Sequence, residues 1–375
     1  MLLPSEIGSS QGSPSCDAPH DPAAGARNLL LGCVSVRRGD SVLLIVEPEG
    51  SNHYEPSVAN FIARHARELG ANVEIMAVAP AGGPEDAPPR MMAAIGAASH
   101  TVFLNRIGDQ LRFAPLPGTG SKTMSYALDM RFLGSDFAVT PYAAWQQIYD
   151  RLVVQLDAAQ SYSIRCPRGT ELSMNLRDSH VGAMRRDDFT VKNFPLMIVP
   201  PIPATGLSGR MVLSQALTST YTHGYDDSVL PLASPLTLTL DHGAIVRIEG
   251  DSDLVARAKA QFARVSALFG GPEWAVNSWH AGINVFTYYP WAALSDIDRW
   301  SCVAFGSPRY AHFHMCGRSP GDICGQIFDP TITFDDAVIW ESGRAAFLTA
   351  DEKQLLVGRQ SVSPDTFDRR RDIGV

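Results

Sequence analysis

The sequence predicts an α/β plus α+β chain. A small open parallel α/β domain spans residues 28–160, and a larger, mostly-β domain spans 161–350. Two observations carry this reading. Up to residue 160, apolar runs alternate with helical stretches, the order that builds a parallel sheet with right-handed crossovers. Beyond residue 160 the strands are short and separated by tight turns. A chain of 375 residues is long enough for two such domains.

The elements follow in order. Gly39-Asp40-Ser41 leads into Val42-Leu43-Leu44-Ile45-Val46, a continuous apolar run of the kind found in strands covered on both faces. Val58, Phe61, Ile62, Ala66 and Leu69 recur at helical spacing over 55–69, and Gly70 stops that helix. Val73–Val78 reads as the next strand, Arg90–Ala98 as a helix and Thr101–Leu104 as a strand. Ala138–Ala159 reads as a strand edge followed by a helix. No Gly-x-Gly-x-x-Gly turn follows the first strand, which leaves a dinucleotide site unsupported. In the second domain, Ser161–Cys166 and Glu171–Leu176 flank the turn Pro167-Arg168-Gly169-Thr170. Leu236–Leu240 and Ala244–Ile248 flank Asp241-His242-Gly243, where glycine supplies positive φ. One amphipathic helix, 253–269, precedes the last strands, and Thr331–Phe334 pairs with Ala337–Trp340 around Asp335-Asp336.

Composition sets limits on partners. The net charge of -8 is scattered, with no clustered basic surface of the kind nucleic acid requires. The short run Asp368-Arg369-Arg370-Arg371-Asp372 reads as part of a solvated tail, 351–375. No apolar run reaches the ~20 residues of a membrane span. Residues 1–27, rich in Ser, Gly, Pro and Ala, lack signal-peptide order and read as a disordered extension. Six dispersed cysteines without a Cys-x-x-Cys pair suit reduced thiols in a cytoplasmic protein.

The residues with the most chemistry lie late in the chain. In Tyr310-Ala311-His312-Phe313-His314-Met315-Cys316-Gly317 the two histidines stand two apart on a strand and therefore share a face. His280 lies upstream, in Asn277-Ser278-Trp279-His280, and Asp329 downstream, in Phe328-Asp329-Pro330. Imidazoles and a carboxylate are the raw material of a metal site. Asp322 is the rival carboxylate, and Cys316 and Cys324 are weaker thiolate candidates. No Gly-x-Ser-x-Gly elbow occurs, which argues against a serine hydrolase. Gly118-Thr119-Gly120-Ser121-Lys122-Thr123 has a phosphate-friendly composition without Walker A spacing. The polar stretches Lys122–Tyr126 and Lys192-Asn193 read as solvated loops or as the lining of a pocket.

Leu31-Gly32-Cys33-Val34-Ser35-Val36-Arg37-Arg38-Gly39-Asp40-Ser41-Val42-Leu43 resembles the opening of the aminopeptidase T superfamily. So do Glu68-Leu69-Gly70-Ala71-Asn72-Val73, Pro167-Arg168-Gly169-Thr170-Glu171-Leu172, Asn193-Phe194-Pro195 and the strand ending in Gly317, in that order over roughly 28–350. The resemblance implies an aminopeptidase T-like pair of domains, the second binding metal, commonly in a homodimer. The superfamily includes metal-dependent aminopeptidases and iron-dependent 2,5-dihydroxypyridine dioxygenases. His280 stands where the peptidases carry their first glutamate ligand, as in the dioxygenase branch. The family's late His-x-Asp pair matches Ile327-Phe328-Asp329, which keeps the aspartate and loses the histidine.

The expectation is an Fe(II)-dependent oxygenase, with Zn(II) or another divalent metal as the alternative ion. His280, His312 or His314, and Asp329 form its ligand set, and O2 and a small chelating substrate are its partners. By resemblance that substrate is a hydroxylated aromatic or N-heterocycle. Lys192 and Asn193 are candidates to orient it, with Tyr126 more distant. A metal-dependent aminopeptidase or other hydrolase is the second reading, and a metal-free binding protein the third.

Overall fold

A computed structural model of the chain describes residues 20–79, 81, 83–112, 114–176, 190–220, 225–318, 321–357 and 366–375. The chain enters through helix α1 (Pro22–Arg27), capped by the Asp21 carboxylate, and a wider turn of helix over Asn28–Val34. Four strands follow: β1 (Ser41–Val46), β2 (Asn72–Ala77), β3 (His100–Leu104) and β4 (Ser121–Ser125). Helices α2 (Pro56–Glu68), α3 (Pro89–Ala97) and α4 (Ile107–Leu111) lie between them. Helices α5 (Met130–Gly134), α6 (Asp136–Val139) and α7 (Tyr142–Ala158) complete the first half. The strand edge expected at Ala138 is helical instead. The Thr140 hydroxyl donates to the Asp136 carbonyl at 2.7 Å, which coils this short stretch before Pro141 opens α7.

Strands β5 (Ser161–Arg165) and β6 (Glu171–Asn175) form the first expected hairpin. Strand β7 (Lys192–Phe194) then returns to the first sheet, so that sheet reads β2-β1-β3-β4-β7 and is parallel throughout. The expected boundary at residue 160 therefore does not separate the sheets, because a parallel strand comes from beyond it. Lys122–Tyr126 and Lys192-Asn193, read above as loops or pocket lining, contribute most of β4 and β7. Lys122 donates to the Gly118 carbonyl at 2.7 Å, so the loop with phosphate-friendly composition closes on its own lysine.

The remaining strands are β8 (Ile202–Pro203), β9 (Ser208–Ser219), β10 (Leu230–Asp241), β11 (Ala244–Glu249), β12 (Val276–Ala281), β13 (Tyr310–Met315), β14 (Ile323–Phe328), β15 (Thr331–Phe334) and β16 (Ala337–Trp340). With β5 and β6 they make a curled antiparallel sheet. Its order is β16-β15-β5-β6-β9-β14-β13-β12-β8, with the β10–β11 hairpin paired to β9. The turn between β10 and β11 places both His242 and Gly243 at positive φ, as a two-residue hairpin loop requires. Helix α8 (Ser252–Phe269) packs along β10 and β11. Helices α9 (Ile297–Ala304) and α10 (Ala350–Val357) cover other parts of the molecule.

Two terminal expectations are corrected. Residues 22–27 belong to α1 and pack on α5, where Gly25 lies against the Leu133 backbone; residues 1–19 lie outside the described residues. The end of the chain is not a solvated tail. Ile373 is fully buried, Trp300 Nε1 donates to its carbonyl at 2.6 Å, and Arg371 pairs with Asp136 at 3.1 Å. None of the cysteines among the described residues forms a disulfide. No described helix is long and apolar enough to cross a membrane.

Candidate metal centre

Strands β12 and β13 build the centre. β13 runs antiparallel to β12, with His280 directly opposite His312 and Ser278 opposite His314. Directly paired residues share a face, as do residues two apart, so His280, His312 and His314 project together. The intervening side chains anchor the opposite face. Trp279 is fully buried against Tyr162, Phe313, Phe334 and Trp340. Burying a side chain of that size contributes up to about 5 kcal/mol by area, which holds β12 firmly in place.

The three imidazoles converge. Their ring centroids lie 5.1–5.2 Å apart, and one nitrogen from each falls within 4.8 Å of the others. His280 Nδ1 donates to the Val199 carbonyl at 2.8 Å, which leaves Nε2 as the ligand nitrogen. His314 Nδ1 lies 2.9 Å from Asp322 Oδ2, and its buried Nε2 has no partner. His312 Nδ1 is likewise buried and unpartnered. Asp322 is fully buried, and the Thr220 hydroxyl donates to its other oxygen at 2.7 Å.

Burial holds His280 and His312 well below the usual histidine range, reinforced by the neighbouring histidines, so both rings are neutral at pH 7. Burial pulls His314 down too, but the Cys324 sulfur and the Asp322 carboxylate outweigh it and push His314 up to about 10. A bound cation would take the place of its Nε2 proton. Three buried imidazoles, with two partnerless ring nitrogens and a carboxylate behind one ring, fit a divalent transition metal.

The carboxylate expectation needs correction. Asp329 does not join the cluster. It follows β14 at positive φ, and Arg309 grips both its oxygens, at 2.7 and 3.0 Å, while Arg370 approaches to 3.5 Å. It sits beside Tyr310, at the opposite end of β14 from Asp322. Asp322, the rival, comes nearer, but it supports His314 from behind. Cys316 points elsewhere, its thiol donating to the Phe262 carbonyl at 3.1 Å. Cys324 meets the back of the His314 ring, its sulfur 3.8 Å from Nδ1.

The other expected residues are only partly assembled. Lys192 is exposed, its charge acts on the buried Cys33 thiol, and it makes no hydrogen bond or ion pair with the histidines among the described residues. Asn193 lies beside Met124 in the parallel sheet. Tyr126 is closer. It is fully buried, its hydroxyl donates to Asp109 at 2.6 Å, and its ring packs edge-on against Phe305, which in turn meets His312. Asp109 also pairs with Arg112 at 3.8 Å, and the Arg112 charge reaches His280 and His312. Sequence reading missed Asp109, Arg112 and Phe305. Asp109 lies in α4, Arg112 caps that helix and Phe305 caps α9, so only the packing of segments distant in sequence brings them near the centre.

Comparisons add the fold. No family profile matches the sequence, and no curated protein matches it. Among solved structures, the chain is similar to 2,5-dihydroxypyridine dioxygenase from Pseudomonas putida. The TM-score is 0.57 at 14% identity, covering 89% of this chain and 99% of that one. At that identity the likeness is one of fold, and the chain shares a dioxygenase-like fold across nearly its whole length.

Proposed function

We propose that this chain is a mononuclear metal-dependent oxygenase, with Fe(II) held by His280, His312 and His314. The observation that carries the proposal is the converged imidazole cluster, with His312 Nδ1 and His314 Nε2 left without protein partners. The dioxygenase-like fold supports it. Imidazole ligands suit iron, and three protein ligands leave positions open for other molecules. When bound, the iron would bring O2 and a chelating substrate together and carry the electron exchange between them.

The protein's own residues have defined tasks in this reading. The Val199 carbonyl and Asp322 fix two of the rings and their tautomers. Phe305 and Tyr126 wall the His312 side and exclude water there. Arg112 supplies positive charge that favours an anionic substrate, in keeping with a hydroxylated aromatic or N-heterocycle bound as its anion. The aminopeptidase T relationship and the homodimer belong to the same proposal.

A metal-dependent hydrolase is the second reading, because three histidines are also a catalytic zinc set. A carboxylate-bridged metal pair of the aminopeptidase kind finds less support. No glutamate occurs between Glu273 and Glu341, and Asp322 is turned to the back of His314.

The test is anaerobic reconstitution with Fe(II), Zn(II) and Mn(II), followed by metal analysis. O2 uptake is then measured with a panel of dihydroxylated benzenes and pyridines. One iron per chain and substrate-dependent O2 consumption are expected, and His280→Ala and His312→Ala should each abolish iron binding. If both variants bind iron as well as wild type, the ligand assignment is wrong. Peptide hydrolysis by the zinc form without O2 uptake would favour the hydrolase.

A further inference from the structure

The face that carries the histidines continues onto β14. Register places Gln326 directly opposite His312, and Cys324 opposite His314. Gln326 therefore extends the row His280–His312 across a third strand. It is fully buried. The nitrogen end of its amide is engaged: Nε2 donates to Thr218 Oγ1 at 3.3 Å and to the Cys324 carbonyl at 3.4 Å. The oxygen end accepts nothing.

A buried acceptor without a donor costs about 1–3 kcal/mol, and one retained in a folded chain calls for an explanation. Here it does not stand alone. His312 Nδ1 and His314 Nε2 are also buried without partners, on positions adjacent to Gln326 in the same sheet face. Three such atoms on neighbouring positions of one sheet face are poorly served by the protein and would be well served by one cation. An amide oxygen is a neutral, hard donor that binds divalent metals directly.

We infer that Gln326 Oε1 is a fourth protein ligand, completing a set of three imidazoles and one amide oxygen around the cation. This rests on the metal-centre reading above. The rival use of the same atom is as an acceptor for an N–H or O–H of the substrate, with no contact to the metal.

Co(II) separates the two, because its visible absorption reports coordination number and its affinity can be measured by competition with a chelator. Gln326→Met keeps length and volume but offers no hard oxygen. Gln326→Glu restores an oxygen and adds charge. In the full-length protein, Gln326→Met should bind Co(II) at least about 10-fold more weakly than wild type, with a changed visible spectrum. Gln326→Glu should bind Co(II) more tightly than wild type, with a changed visible spectrum. Wild-type affinity and spectrum in Gln326→Met overturn the assignment and leave the histidine centre standing. Should Gln326→Met not fold, Gln326→Glu decides: affinity and spectrum both unchanged by the added charge overturn the assignment. A wild-type chain that takes up no Co(II) overturns the centre itself, and the fourth ligand with it.

Discussion

Each histidine is defined by what stands behind it. His280 leans on a backbone carbonyl and His314 on a buried carboxylate, and these contacts decide which nitrogen faces the centre. Asp322→Asn keeps the shape and removes the charge. Metal affinity should then fall by about 10–100-fold, measured by chelator competition, while the fold persists by circular dichroism. An unchanged affinity would mean that Asp322 only fills space. The His312/His314 pair is legible in the sequence because strand alternation is local. The fate of Asp329 is not. Its ion pair with Arg309 spans 20 residues, and nothing in Phe328-Asp329-Pro330 announces that partner.

Register is what turns strands into a centre. His280 meets His312 because β12 and β13 pair without slippage over Ser278–Ala281, and Gly282 guards the end of that pairing. A Cβ at Gly282 would lie 2.2 Å from the Ser307 carbonyl oxygen and 2.4 Å from the Gly306 carbonyl carbon, both backbone atoms that cannot step aside. Gly282→Ala should therefore cost about 1–3 kcal/mol in a denaturant titration and weaken metal binding as His280 shifts. Full stability together with full metal affinity would rule out this view of the loop. The hairpins β5–β6, β10–β11 and β15–β16 were all legible from period-two patterns and turn residues. Strand β7 was not, since three residues of Lys-Asn-Phe carry no periodicity and become a strand only beside β4.

At the scale of the molecule, the segment 366–375 is a structural part. The last residues bring Ile373 into the core beneath Trp300, and Arg371 both pairs with Asp136 and covers the Phe286 ring. Ile373→Ala should destabilise the protein by about 2–5 kcal/mol, read as a lower thermal midpoint. A midpoint equal to wild type would show the segment to be dispensable. The sequence offered only charge here, and a short basic run flanked by acids looks the same whether it is solvated or docked.

The sequence by itself determined the alternating order of the first sheet, the hairpins of the second and the shared face of His312 and His314. All of these follow from backbone periodicity and turn chemistry acting over a few residues. Only the tertiary structure decided that His280 completes the cluster, that Asp322 supports it and Asp329 is spent on Arg309, and that Gln326 lies in the same row. Those facts depend on strand register and on contacts between distant segments, which the lowest free energy of the whole chain selects and no local pattern encodes.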